Sequence, residues 1–202
     1  MKSMKHSDAG FTGLEAAIVL IAFVVVAAVF SYVVLGAGFF TTQKSQQVVH
    51  TGVEQSSSTL EVVGNVYGVW PPYLADPGTI QWINFTVALA PGGTPVDFDK
   101  MTVTYSNVSI LETLGEGPWE DSYEGYPSDI DPGQWTVVAV ENPVPNTGHL
   151  LEPGEMFEVT VYPTNEIYPN DQFNIELKPS VGPSLTITRS TPGALNPVNI
   201  LY

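Results

Sequence analysis

The 25-residue run AAIVLIAFVVVAAVFSYVVLGAGFF, from Ala16 to Phe40, constrains this chain more than any other feature. Its only polar groups are the hydroxyls of Ser31 and Tyr32. About 20 apolar residues are enough for a helix to cross a bilayer. A helix at the surface of a soluble domain has a polar stripe, and this run has none. The run therefore predicts a helix that is covered on every face, either by lipid or by other protein.

A general secretory signal peptide is the first alternative for this run. Its apolar region is typically about 7–15 residues long and is followed by a cleavage site made of small residues. Here the apolar run is longer and continues into LGAGFFTTQKSQQ. Cleavage after the GAG triplet stays open as an alternative, but the length favours a helix that the mature protein retains.

A short basic leader precedes the run. MKSMKHSDAG carries two lysines and ends at Gly10, and the next residues, FTGLEAAIVLIAFVVV, contain a single carboxylate, that of Glu15. If the bond between Gly10 and Phe11 is cut, Glu15 becomes the fifth residue of the mature chain. Such a cut would remove the charged leader and leave the hydrophobic helix free to leave the bilayer and pack against copies of itself.

These features resemble the class III signal of type IV pilin-like proteins. A finer resemblance, to the archaellins of the archaeal flagellum (archaellum), is carried by AGFTGLEAAIVLIAFVVVAAVFSYVVLGAGFF and the following TTQKSQQVVHTGVEQSSSTLEV. In the C-terminal half the resemblance is looser and rests on LLEPGEMFEVTV and the final NILY. It implies a structural subunit of a filament used for swimming, with the helix in the filament core.

The resemblance also implies a route and a set of partners. A membrane-embedded prepilin-type signal peptidase would remove residues 1–10 by cutting between Gly10 and Phe11. The precursor would lie in the cytoplasmic membrane. The archaellum membrane platform and motor would then act on a homo-oligomeric, extracellular helical filament.

Glu15 has two interpretations. A carboxylate within a membrane span costs roughly 2.5–3.5 kcal/mol, and less near an interface. In the pilin-like interpretation, Glu15 serves subunit assembly by pairing with the new α-amino group of Phe11 on a neighbouring copy. In the other, it is an interfacial residue near a helix N-terminus, where the helix dipole favours a negative charge. We favour the assembly role, which depends on the cut after Gly10.

Heptad spacing extends the predicted helix beyond the membrane-length run. Spacings of four and three residues continue through Val49, Val53, Ser56, Leu60 and Val63. The sequence therefore predicts one helix over residues 11–62. No compact domain of this size can cover such a helix by itself, so we expect lateral association with other copies.

Residues 63–202 have a different pattern and are predicted to form a surface domain. Turns rich in Pro and Gly separate short runs in which every second residue is apolar, such as those starting at Ile83, Phe157 and Phe173. About seven such strands, the first near Glu61–Val69, predict an antiparallel Greek-key sandwich of immunoglobulin-like size. The predicted fold class is therefore α+β, with a long N-terminal hydrophobic helix followed by an antiparallel Ig-like β-sandwich.

The charge of the chain is concentrated in its C-terminal part. Residues 1–60 are formally neutral, so the whole net charge of −15 lies in residues 61–202. A surface this acidic repels nucleic acid and anionic lipid and keeps crowded copies soluble. Nucleic acid is therefore a poor candidate, and we expect no nucleic-acid partner.

No catalytic pattern is present in the sequence. The chain has no cysteine, and its three histidines, His6, His50 and His149, form no metal-binding or nucleophile-activating motif. We therefore expect no enzymatic activity, no catalytic residue and no cofactor.

One acidic stretch deserves comparison with calcium sites, because hard cations favour several oxygen ligands from one loop. The spacing of its carboxylates fits no EF-hand, and we favour a solvated acidic loop over a bound Ca²⁺ ion. The carboxylates belong to Glu116, Glu120, Asp121, Glu124, Asp129 and Asp131.

Two N-x-S/T sequons, at Asn84 and Asn107, mark sites where N-linked glycans could attach. If Phe85 and its alternate neighbours face the core, Asn84 points outward and is the better candidate. Asn107 shares its phase with the inward residues of its own strand and is acceptable only if that strand ends near Ser106.

Three classes of function fit these observations. The first is the archaellin-like motility filament, which the long helix and the extended resemblance favour. The second is an adhesive type IV-like pilin that uses the same helix, and the third is a membrane-anchored β-domain that never polymerises.

Overall fold

The computed structural model describes residues 8–70, 78–119, 130–145 and 148–202. They belong to two compact units, Met1–Thr51 and Gly52–Tyr202. Residues 1–7 of the predicted leader lie outside the described residues, as do four members of the acidic stretch, between residues 120 and 129.

The described residues of the first unit are helical. Helix α1, Asp8–Ser57, has 50 residues and a length of about 75 Å at a rise of 1.5 Å per residue. Every large apolar side chain from Leu14 to Val53 exposes at least 51% of its surface. By length and composition the segment Gly13–Val53 can cross a membrane, with a mean hydropathy of 3.0 over its most apolar window. The helix therefore has the composition of a buried element but is uncovered in a single copy.

The helix ends at Ser57, so its predicted end at residue 62 is wrong. Leu60 and Val63 belong instead to strand β1, where they pair with Leu89 and Thr86 of the next strand. Leu60 is 4% exposed because it packs in the core of the β unit. A helix continuing alone in solvent would leave this side chain uncovered, so tertiary packing overrides the heptad spacing.

The second unit is a β-domain, and its described residues form eleven strands. A 3₁₀ turn, Phe98–Lys100, follows the third of them. The strands are β1 Leu60–Val69, β2 Trp82–Leu89, β3 Val96–Asp97, β4 Thr102–Asn107, β5 Leu111–Glu116, β6 Gln134–Glu141, β7 Leu150–Leu151, β8 Met156–Tyr162, β9 Gln172–Lys178, β10 Leu185–Ser190 and β11 Val198–Leu201.

Nine of these strands are hydrogen-bonded in the order β10-β9-β4-β5-β6-β8-β2-β1-β11, while β3 pairs with β7. All pairings are antiparallel except that of β5 with β6, which is parallel over two residue pairs. The two ends of the order also meet, because Ser190, the last residue of β10, and Tyr202, just after β11, exchange backbone hydrogen bonds of 2.6 and 3.3 Å. The mostly antiparallel β-domain confirms the predicted fold class.

One hydrophobic core lies between the strands. Ile83, Phe85 and Val87 of β2 are at most 1% exposed, as are the apolar residues of β8 and β9 that the alternation placed inward. The predicted inward phase of these strands is therefore confirmed. The predicted number of about seven strands is too low, because β3, β7 and β11 are short and β5 contributes one residue, Leu114, to the core.

Gly182 shows why glycine is needed at one of the predicted turns. Its φ is +106°, a conformation that side chains with a Cβ rarely adopt, and an added Cβ would lie 2.2 Å from the carbonyl oxygen of Ser58. The backbone just before β1 therefore packs directly on the turn between β9 and β10.

Glu158, on β8, couples the stability of the β-domain to pH. Burial, and secondarily the nearby Glu141 carboxylate, raise the pKa of Glu158 above its ordinary value of 4.5. The folded state therefore holds this proton more tightly than the unfolded chain does. The stabilisation is complete below about pH 4.5 and is lost as the pH rises through the raised pKa.

We expect Glu158→Gln to raise the melting temperature at pH 7 and to have little effect at pH 4. Thermal unfolding of the detergent-solubilised chain at both pH values measures this difference. Glu176→Gln is the control. It also removes one glutamate from a strand, but the cross-strand neighbours of Glu176 are Thr104 and Thr186 rather than carboxylates. An equal gain at both pH values would contradict the prediction.

Candidate assembly surface and polar sites

The surface of α1 is the largest candidate site in the molecule. From Ala16 to Gln43 the sequence has no charged residue, so Glu15 and Lys44 bound an uncharged stretch. The hydroxyls of Thr41 and Thr42 donate to the carbonyl oxygens four residues earlier, at 2.8 and 2.9 Å. These polar groups are thus satisfied within the helix, and the surface they leave is suited to close packing rather than to water.

Two further predicted residues, Gly10 and Phe11, belong to the first turns of α1. Glu15 follows one turn after Phe11, and its side chain is exposed. Four residues of helix separate Glu15 from Phe11 by about 6 Å along the axis. In a single copy Glu15 therefore faces solvent at the start of the apolar surface. Its assembly role and the cut after Gly10 remain predictions.

Asn84 does not occupy the exposed position that the sequence predicted. Its side chain is 7% exposed, and its Oδ1 accepts a hydrogen bond of 3.1 Å from the hydroxyl of Thr160, which is itself fully buried. Strand β2 lies between β1 and β8, so Asn84 has a paired strand on each side. The alternation gives its phase correctly, but the prediction of exposure is wrong because this part of the outer face is covered too.

Asn107 ends β4 and organises the turn that follows. Its Oδ1 accepts the backbone N–H groups of Ser109 and Ile110, both at 2.8 Å, and its Nδ2 donates a long bond of 3.4 Å to the Tyr105 hydroxyl. Burial raises the pKa of Tyr105 to about 12, so this hydroxyl is protonated at neutral pH. The side chain of Asn107 is partly exposed. The strand ends one residue later than the predicted limit.

Three ligand-type side chains that lie far apart in the sequence meet near the 3₁₀ turn. One ligand atom each from Asp99, Glu116 and His149 lies within 4.8 Å of the other two. The Nδ1 atom of His149 contacts the Asp99 carboxylate. Two carboxylates and an imidazole form a donor set that can hold a divalent cation.

Trp119 positions two members of this cluster. Its ring stacks on the imidazole of His149 with centroids 3.7 Å apart and an angle of 2°, and its Nε1 donates to Glu116 at 2.7 Å. Of the two members of the predicted acidic stretch that the structure describes, Glu116 joins the cluster, while Asp131 caps a turn with Gln134 on a different segment. The expectation that the chain binds no metal or cofactor stays a prediction.

Glu155 is a structural residue that the sequence reasoning missed, although it lies in the quoted segment LLEPGEMFEVTV. Its side chain is 2% exposed. One carboxylate oxygen accepts the backbone N–H of Glu152 at 2.9 Å, and the other accepts that of Val144. Pro153-Gly154 indicates a turn in the sequence, but the hydrogen bond from Val144, 11 residues earlier, depends on tertiary packing that the sequence pattern does not show.

We expect Glu155→Gln to destabilise the β-domain by about 1–3 kcal/mol, since a glutamine amide can accept at only one of the two positions and presents a donor at the other. Chemical denaturation of the solubilised chain measures the loss. Glu152→Gln, on the same turn but only partly buried, is the control. A stability equal to that of the unmodified chain would show that the two hydrogen bonds contribute nothing.

Comparison with known proteins gives concordant results. A family model described as archaeal-type flagellin matches residues 10–189. "Probable flagellin 1" of Archaeoglobus fulgidus is 41% identical over 211 aligned residues, which cover 100% of this chain and 98% of the relative.

Two solved structures resemble the chain. The archaeal flagellum of Methanospirillum hungatei strain JF1 matches with a TM-score of 0.69 and 34% identity, over 94% of this chain and 99% of that one. Flagellin FlaB1 of Methanocaldococcus jannaschii matches with a TM-score of 0.58 and 16% identity, over 70% of this chain and 95% of that one, and shows a shared fold.

Proposed function

Because this chain belongs to the archaeal-type flagellin family and is a structural subunit of the archaeal flagellum (archaellum) filament, we propose the route by which it enters that filament. The predicted resemblance and the role in motility are confirmed, and the adhesive-pilin alternative is not favoured. The family is one of structural filament proteins rather than enzymes. The filament is a homo-oligomeric appendage at the cell surface.

The proposal is carried by the uncovered helix. The most apolar window of the segment Gly13–Val53 contains no buried residue in a single copy. Burying one Val, Leu, Ile or Phe side chain contributes about 1.5–3 kcal/mol. In the precursor, lipid covers this surface, and in the filament other copies cover it. The helix thus exchanges one apolar environment for another without exposure to water.

Removal of the leader determines when the helix can move from lipid into the filament. Cutting between Gly10 and Phe11 by a prepilin-type signal peptidase removes both leader lysines and creates an α-amino group one helical turn before Glu15. The archaellum membrane platform and motor then receive a chain without a charged tail. Residues 11–57 are the assembly helix of the mature subunit, and the β-domain begins at β1.

N-glycosylation is proposed at Asn107 in preference to Asn84. Transfer of a glycan requires access to Nδ2, and the side chain of Asn84 is 7% exposed and bonded to Thr160. At Asn107 both turn-forming hydrogen bonds use Oδ1, so a glycan on Nδ2 leaves them intact.

The test is the N-terminal sequence of the main protein in filaments sheared from swimming cells. A start at Phe11 supports the proposed route, and mass spectrometry of the same sample locates any glycan. A start at Met1 would contradict cleavage, and deletion of the gene with swimming intact would contradict a necessary role in motility.

A further inference from the structure

A polar cleft on the β-domain shares no lining residue with the cluster of Asp99, Glu116 and His149, and the assembly route proposed above does not use it. Its volume is about 400 Å³, within the range of roughly 300–1,000 Å³ that is usual for small-ligand sites. It lies between the β4–β5 turn and the segment that joins β8 to β9. The residues that line it are Asn107, Ser109, Thr164, Asn165, Glu166, Tyr168 and Asp171.

Hydrogen bonds fix the wall formed by the β8–β9 segment at its first end and in its middle. Glu112 accepts from the Thr164 backbone N–H at 2.9 Å and from the Thr164 hydroxyl at 2.6 Å. Further along, Ile167 and Ile80 exchange backbone hydrogen bonds of 2.9 and 3.0 Å, and both side chains are fully buried. The residues between these anchors are therefore held in place.

The last part of the same wall is a closed turn. The Asp171 carboxylate accepts the backbone N–H of Tyr168 at 3.0 Å, while Thr191 donates to the Tyr168 carbonyl at 2.6 Å and accepts from the Asp171 backbone N–H at 2.9 Å. The opposite wall is the turn that Asn107 organises. Both walls are thus formed before any ligand arrives.

The remaining lining residues are available to a ligand. Within the part of the chain that the structure describes, the side chains of Ser109, Asn165 and Glu166 make no hydrogen bond, and Tyr168 exposes 57% of its surface. They offer a hydroxyl, an amide, a carboxylate and an aromatic face. Each of these groups matches part of a sugar, since hydroxyls pair with the polar groups and C–H faces pack on an aromatic ring.

The lining chemistry disfavours the other ligand classes. Glu166 and Asp171 repel anions such as phosphate, and the polar walls give an apolar ligand little surface to contact. A cation would find two carboxylates, one of which is already bound by the Tyr168 N–H. The sequon residue Asn107 stands at the edge of the cleft, so a saccharide attached there would lie next to it.

We propose that this cleft binds a carbohydrate through stacking on Tyr168 and hydrogen bonds to Ser109, Asn165 and Glu166. The sugar has two potential sources: the glycan on Asn107 of the same chain, which rests on the glycosylation proposed above, or a free or surface-bound saccharide. Both present the same chemistry to the cleft, and the experiment separates them.

The experiment is saturation-transfer NMR on sheared filaments with the methyl glycosides of glucose, galactose, mannose and N-acetylglucosamine as probes. Two backgrounds are compared: the unmodified chain and Asn107→Asp, which keeps the turn-forming oxygen but cannot carry a glycan. Saturation transfer from the filament to a probe sugar in both backgrounds identifies an external sugar as the ligand. Transfer in Asn107→Asp alone shows that the chain's own glycan fills the cleft.

Variants of the aromatic residue test the site itself. Tyr168→Ala is expected to reduce the transfer at least about fivefold by removing the aromatic contact, whereas Tyr168→Phe retains it. Tyr202→Ala, which removes another exposed tyrosine, should change nothing. No transfer in either background, or undiminished transfer with Tyr168→Ala, would overturn the proposal. All variants should still form filaments, so this outcome is separate from a failure of the assembly route.

Discussion

Val29→Asp is expected to abolish the filament. Val29 lies near the centre of the uncharged run and is 59% exposed on the isolated helix. An aspartate at the centre of a membrane helix costs roughly 2.5–3.5 kcal/mol on insertion. The run from Ala16 to Gln43 contains no cation to pair with this charge when helices pack, so we expect a second cost for the assembly of every copy. Electron microscopy of sheared material and a count of swimming cells measure the effect.

Two variants make this result specific. Val29→Thr has nearly the same shape, and its hydroxyl can donate to the carbonyl four residues earlier, as the hydroxyl of Thr51 does at 2.9 Å. It should leave the filaments intact. Val181→Asp places the same charge on the exposed surface of the β-domain and should also assemble. Normal filament numbers with Val29→Asp would mean that this face of the helix is in contact with water in the polymer.

The sequence predicted the helix well because its evidence is local. Length and hydropathy are sufficient to identify an element that no small domain can bury. The predicted end of the helix was wrong because apolar spacings of three and four residues at Leu60 and Val63 do not reveal that a strand partner is present. Pairing of Leu60 with Leu89 brings together residues 29 positions apart. Contacts at this separation decide where the helix stops.

The polar sites were less predictable for the same physical reason. Alternation placed Asn84 on the outer face, but it cannot show that Thr160 of a neighbouring strand lies against it. The cluster of Asp99, Glu116 and His149 combines residues from a 3₁₀ turn, a strand end and a loop. In the sequence Glu116 stands beside other carboxylates, whereas Asp99 and His149, its neighbours in the structure, come from other segments.

Glu15→Gln is the variant that decides between the two interpretations of this residue. If Glu15 only interacts favourably with the dipole of its own helix, losing the charge costs about 0.3–1 kcal/mol. That is at most about a fivefold change in the assembly equilibrium, and filaments should persist. If it pairs with the α-amino group of Phe11 on another copy in a water-poor core, removing one partner costs about 3–5 kcal/mol, or at least a hundredfold.

We expect the larger effect: Glu15→Gln should leave few or no filaments while the precursor is still cut to begin at Phe11. The quantity of sheared filament and the N-terminal sequence of the membrane-bound subunit give the two readouts. Glu61→Gln, which neutralises an exposed glutamate on β1, is the matched control and should assemble normally. Filaments in near-normal amounts from Glu15→Gln would assign this carboxylate to the helix dipole, because only a buried pair makes every subunit addition depend on one charge.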